Sequence, residues 1–158
     1  MVSSHDLKKI NLLQNLSDEA LEKILSITKH REFKDGEIIF KQGDPADALY
    51  LLKRGKVLLE VDISEIVSIS LGSVKTGFSF GWSALMGGSN YTSHAICSEP
   101  CEVLTVPGKE LQDLLEQDHT VGYHIMMGLA QIISSRLERR TDQFLKVMAK
   151  HPDIQKFL

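Results

Sequence analysis

The chain has 158 residues, a formal charge of −3, 42% hydrophobic and 25% charged residues, the balance of one ordinary globular domain. A slight negative charge gives no overall pull toward nucleic acid, residues 1–10 lack the unbroken apolar run of a secretory signal, and nothing later approaches the ~20 apolar residues of a membrane span. A cytoplasmic location with no membrane partner is expected. The two cysteines, Cys97 and Cys101, fall short of the about four ligands of a structural zinc or iron–sulfur cluster, so they are read as buried thiols, and no metal or other cofactor is expected.

In chain order, the first signal is Asn15-Leu-Ser-Asp-Glu-Ala-Leu21. Ser17 suits an N-cap, Asp18 and Glu19 suit a first helical turn, and Leu16 and Leu21 suit a hydrophobic staple. A short helix is predicted from Asp18, with Leu21, Ile24 and Leu25 on its buried face. Short apolar runs then follow at 37–40, 48–52, 56–61, 66–71, 92–97 and 102–106, punctuated by Lys34-Asp35-Gly36, Gln42-Gly43-Asp44-Pro45 and Lys53-Arg54-Gly55. Strands so short and so evenly spaced predict a closed or rolled β structure, with Gly supplying the positive φ of its turns.

Pro107 is placed to open a helix over 108–116, and a longer helical pattern runs over 121–148, about 40 Å at 1.5 Å per residue. Met126, Ile133, Leu137, Phe144 and Met148 form one apolar stripe on it, with Ile125, Leu129 and Ile132 to one side. Two apolar faces predict two partners, the β unit and a second copy of the helix, so Met126, Ile133, Leu137 and Phe144 are expected at a homodimer interface. Arg136, Arg139, Arg140 and Lys146 are read as the solvated face of this helix, favoured toward its C-terminus.

The run Phe33-Lys-Asp-Gly-Glu-Ile-Ile-Phe-Lys-Gln-Gly-Asp-Pro-Ala-Asp-Ala-Leu-Tyr-Leu-Leu-Lys-Arg-Gly-Lys-Val57 resembles the catabolite activator family of cyclic-nucleotide-binding domains, and the likeness extends over about 12–140. It implies a mainly β fold with flanking helices: a jelly-roll-like β-roll (double-stranded β-helix) with an N-terminal helix, a short cassette helix and a long C-terminal helix. The expected boundaries are 1–118 for the first helix, roll and short helix, 119–150 for the dimerisation helix, and 151–158 for a tail. A DNA-reading member would carry a winged helix-turn-helix of about 60–70 residues after its long helix, so no direct DNA binding is expected.

In the family the ligand lies in a phosphate-binding cassette, to which Gly77-Phe-Ser-Phe-Gly-Trp-Ser-Ala-Leu-Met-Gly-Gly-Ser-Asn-Tyr-Thr-Ser93 corresponds. The resemblance places a pocket at Phe80, Gly81, Trp82, Ser83, Ala84, Leu85, Tyr91, Thr92 and Ser93. Trp82 stands where the family has the Glu that accepts a ribose hydroxyl, and Tyr91 where it has the Arg that pairs with the cyclic phosphate. An indole N–H donates and cannot accept, and a phenol is neutral. Losing a charged partner from a buried ion pair costs about 3–5 kcal/mol, so cyclic AMP is not the expected ligand. Lys75 and His94 are the remaining local candidates for positive charge.

Three functional readings stay open: a non-catalytic sensor for another small-molecule effector, acting on an unidentified downstream protein; a ligand-free dimerisation or docking scaffold whose pocket Trp82 and Tyr91 fill; and a cyclic-nucleotide-binding protein with non-standard contacts. Catalysis has no motif behind it, neither a nucleophile triad, nor a P-loop, nor a His-Glu-x-x-His helix. Haem ligation by His94 and Cys97 fails on strand alternation, which sends side chains three apart to opposite faces.

Overall fold

Left-handed glycines turn the chain between short strands without the long crossover connections that parallel pairing needs, and all the strands pair antiparallel. The computed structural model describes residues 2–157. Among these, eight strands are β1 (Lys29–Phe33), β2 (Ile38–Phe40), β3 (Ala48–Arg54), β4 (Lys56–Ser64), β5 (Val67–Lys75), β6 (Ser79–Phe80), β7 (His94–Cys97) and β8 (Cys101–Pro107). They form two four-stranded sheets in the orders β1-β8-β3-β6 and β2-β7-β4-β5, a β-roll flanked by helices, as the resemblance implies.

Five helices surround it: α1 (Ser4–Lys8), α2 (Asp18–Ile27), α3 (Gly108–Gln117), α4 (His119–Met148) and α5 (Pro152–Gln155). The Ser17 side chain accepts the Ala20 N–H at 3.2 Å, the cap that the sequence signals. Asp118 does the same for α4, accepting from Val121 N–H at 3.2 Å. Helix α1 was not read from the sequence, although Ser3 and Asp6 make a reciprocal capping box. Pro107 is both the last residue of β8 and the N-cap of α3, which starts at Gly108. No helix among the described residues is long and apolar enough to cross a membrane.

The core has two compartments separated by β3 and β8. On β3, Leu49 and Leu51 face one compartment with α2, α3, the N-terminal segment and the first half of α4. Tyr50 and Leu52 face the interior of the roll with Phe33, Phe40, Val57, Phe80, Tyr91 and Val103. Period-two alternation sends neighbouring residues to opposite sides, and a strand buried on both faces therefore reads as the unbroken apolar run 48–52. Each buried leucine here contributes about 1.5–3 kcal/mol relative to an exposed one.

Helix α4 has 30 residues and is about 45 Å long. Val121, Ile125 and Leu129 enter the helical compartment, while Met126, Ile133, Leu137 and Phe144 are 43%, 47%, 65% and 61% exposed.

Candidate functional site

The cassette segment begins where β6 runs out. Its last pair is Phe80 with Tyr50, after which Gly81 turns left-handed at φ 75°. A Cβ at Gly81 would lie 2.9 Å from the Tyr50 ring and 3.2 Å from the Ala48 carbonyl, so only glycine fits both the dihedral and the space. The expected cassette helix is a single 3-10 turn, Trp82–Leu85.

Past the end of β6 the backbone of Ala48 would have lacked a partner, and Tyr91 supplies one. Its Oη donates to the Ala48 carbonyl at 2.7 Å and accepts the Ala48 N–H at 3.1 Å. Asp47 Oδ1 lies 3.3 Å away. The ring stacks on Phe40 at 3.8 Å between centroids within a cluster that includes Tyr50 and Phe80. Burial pushes the hydroxyl's pKa far above the ordinary phenol value, so Tyr91 stays neutral, and it is part of the roll's interior.

Trp82 behaves differently. It is half-buried, its Nε1 donates to Ser79 Oγ at 3.0 Å, and the Arg136 guanidinium lies over its ring at 4.2 Å. The reading of Arg136 as part of a solvated face is thereby corrected. The residue is half-buried, and burial first, then Arg139 and Arg140, lowers its pKa to about 10. A cation above an indole face gains about 0.5–2 kcal/mol depending on its desolvation.

A cavity of about 550 Å³ lies between this segment and α4, a size typical of small-molecule sites. Phe80, Gly81, Trp82, Ser83, Leu85, Tyr91, Thr92 and Ser93 line it together with Phe40, Leu59 and Leu71. Helix α4 closes it with Leu129, Met126, Ile133 and Leu137, and adds two cations, Arg136 and Arg140. The sequence reading missed both cations as pocket residues, because periodicity sorts arginine with the solvent face. Ala84 is not in the lining; its carbonyl accepts from Gln112 Nε2 at 3.0 Å, and a Cβ at Gly108 would sit 2.6 Å from that oxygen.

The other candidates lie elsewhere. His94 holds Asp62 through Nε2 at 2.8 Å and accepts the Gln42 N–H on Nδ1 at 3.2 Å. Lys75 borders a cleft between β5 and α4. Cys97 is buried inside the roll and His94 points to the opposite face of β7. Both cysteines are free, and no cluster of three metal-ligating side chains occurs among the described residues.

Residues 30–118 match the model of the cyclic nucleotide-binding domain. The chain belongs to that family. It is a regulatory module of the cyclic nucleotide-binding domain type, built on the family's β-roll. A solved structure from Geobacter metallireducens GS-15, named as a cyclic nucleotide-binding protein, is 31% identical with a TM-score of 0.76, covering 87% of this chain and 99% of that one. The catabolite activator protein of Thermus thermophilus is 27% identical at a TM-score of 0.71, covering 88% of this chain and 63% of its own. A protein of Bradyrhizobium diazoefficiens named glutaminase 1 is 29% identical over 126 residues, which is 80% of this chain and 20% of that relative. The chain spans a fifth of that relative's length.

Proposed function

We propose that this cyclic nucleotide-binding domain is a non-catalytic sensor whose pocket takes a small molecule with an apolar body and a negative charge, and not cyclic AMP in the family's usual pose. The observation that carries this reading is Tyr91 Oη bound to both backbone groups of Ala48. The position that would hold the phosphate partner is committed to the fold. The cations bordering the cavity come from α4, Arg136 and Arg140, and no carboxylate lines it to accept a ribose hydroxyl. An anionic group near the two guanidiniums and a hydrophobic body over Phe40, Leu59, Leu71 and Trp82 match that distribution.

Arg136 also keeps the reading of non-standard nucleotide contacts in play, since it is a cation at the pocket that the cassette comparison alone overlooks. The test is calorimetric titration with cyclic AMP beside a thermal-shift screen of aliphatic and aromatic carboxylates and phosphates. A carboxylate or phosphate that raises the melting temperature of the wild type and not of Arg140→Ala supports the sensor reading. Micromolar binding of cyclic AMP by the wild type overturns it, and no stabilising compound at all favours the ligand-free scaffold.

The sensor acts as a homodimer through α4 and in the cytoplasm. Met126, Ile133 and Leu137 line the pocket and are also exposed on α4, so a second helix laid along them would close the cavity and give ligand and dimer a common surface. Two free buried thiols suit a reducing compartment. Sedimentation of an Ile133→Glu, Phe144→Glu variant against the wild type tests the dimer, and a wild-type monomer at high concentration rejects it.

A further inference from the structure

Between β5 and α4 lies a second cleft of about 450 Å³, which shares Arg136 with the pocket. Its walls are β5, through Ser73, Val74 and Lys75, and α4, through Gln131, Ser135, Arg136 and Arg139, with Asn11 and Phe78 also lining it. Three cations border it, and no carboxylate does. Lys75, Arg136 and Arg139 take part in none of the ion pairs among the described residues. Arg139 reaches the sheet: a Cβ at Gly72 would lie 3.6 Å from its Nη2.

Three like charges border one cleft without a counter-charge and repel one another; the pKa of Arg136 is lowered first by burial and then by Arg139 and Arg140. An anion between the three cations would relieve the repulsion. The lining is mostly hydrogen-bonding side chains, unlike the aromatic and aliphatic lining of the pocket. We propose that this cleft is a second ligand site, for a small polyanion such as a phosphorylated or polycarboxylate metabolite, held by Lys75 from β5 and by Arg136 and Arg139 from α4. Guanidiniums bind either anion type through paired N–H donors, and the ammonium adds a point charge. Because the cations come from both walls, the bound anion ties α4 to the roll. The cleft shares Arg136 with the pocket beside Trp82, so the two sites are told apart by Lys75 and Arg139, which line the cleft alone.

Two neighbouring arginines separate the sites experimentally. Arg139 lines the cleft and not the pocket, whereas Arg140 lines the pocket and not the cleft. Pyrophosphate and citrate are titrated into wild type, Lys75→Ala, Arg139→Ala and Arg140→Ala by calorimetry, with unliganded melting temperatures confirming that each variant folds. All three side chains are largely solvent-exposed, so folding is retained. The expected result is one saturable site per chain, weakened about tenfold, or about 1.4 kcal/mol, by Lys75→Ala and by Arg139→Ala, and by less than about threefold by Arg140→Ala under salt screening. The tighter of the two probes tells whether the site prefers phosphate or carboxylate. Absence of saturable binding at millimolar probe overturns the proposal. So does equal weakening by Arg139→Ala and Arg140→Ala, which would report only the general field of the helix, or loss confined to Arg140→Ala, which would put the anion in the pocket.

Discussion

Replacing Tyr91 by phenylalanine removes one oxygen and keeps the ring. The stack on Phe40, at 3.8 Å between centroids, survives, so the loss falls on the two hydrogen bonds to Ala48, at 2.7 and 3.1 Å. With Tyr91 only 4% exposed, water reaches the orphaned Ala48 groups poorly. A buried hydrogen bond contributes about 1 kcal/mol net, and an unsatisfied buried partner costs about 1–3 kcal/mol. Tyr91→Phe should then lose about 2–4 kcal/mol of stability, or roughly 5–15 °C in melting temperature for a domain of this size. Urea unfolding followed by circular dichroism, without added ligand, measures it. A change below about 0.5 kcal/mol, the range of an ordinary surface substitution, would mean that the hydroxyl is not committed to the backbone. The position of the family's phosphate partner would then be open to a ligand.

Other expectations follow from the same geometry. Gly81→Ala should cost about 1–3 kcal/mol through its left-handed dihedral, and more where the new methyl meets the Tyr50 ring at 2.9 Å; chemical denaturation reads the difference from wild type. Trp82→Ala removes the ring beneath Arg136 and should lower stability while speeding amide exchange in the second half of α4, and unchanged exchange there would show that the stacking does not hold the helix. Burial, then the neighbouring Cys101, raises the Cys97 thiol from 9.0 to about 12. The unfolded thiol ionises first, so the contribution of Cys97 is full below pH 9 and is lost as pH rises toward 12. The slope of stability against pH in that window should flatten in Cys97→Ala. At neutral pH neither thiol should react with an alkylating agent until the chain unfolds, and rapid labelling of the native protein would contradict their burial.

The roll was legible because its signals are local. Glycine turns bracketed the strands, and the doubly apolar run 48–52 marked β3 before any partner was known. What escaped detection has a physical pattern. Strand β1, Lys-His-Arg-Glu-Phe, buries only Phe33, so it carries no alternation to detect; its place is set by pairing with β8. Strand β6 has two residues, too few for any period. The capping box of α1 is present at Ser3 and Asp6, but the helix behind it is five residues long, too short to show a period. At the pocket, the exchange of charged partners for Trp82 and Tyr91 was visible in the sequence. The partner of the Tyr91 hydroxyl, a backbone 43 residues away, was not, nor was the position of Arg136 over an indole that only the tertiary fold brings beneath it.

The partition formed by β3 has a consequence for how the gene can drift. Odd-numbered leucines there belong to the helical compartment and even-numbered side chains to the roll, so deleting or inserting one residue within 48–52 would exchange the contents of both interiors at once. At the far end of the β4–β5 hairpin, where Ile63 and Ile66 are largely in solvent, the same edit would disturb neither. Length changes among descendants of this sequence should therefore collect at that tip and spare the dividing strand.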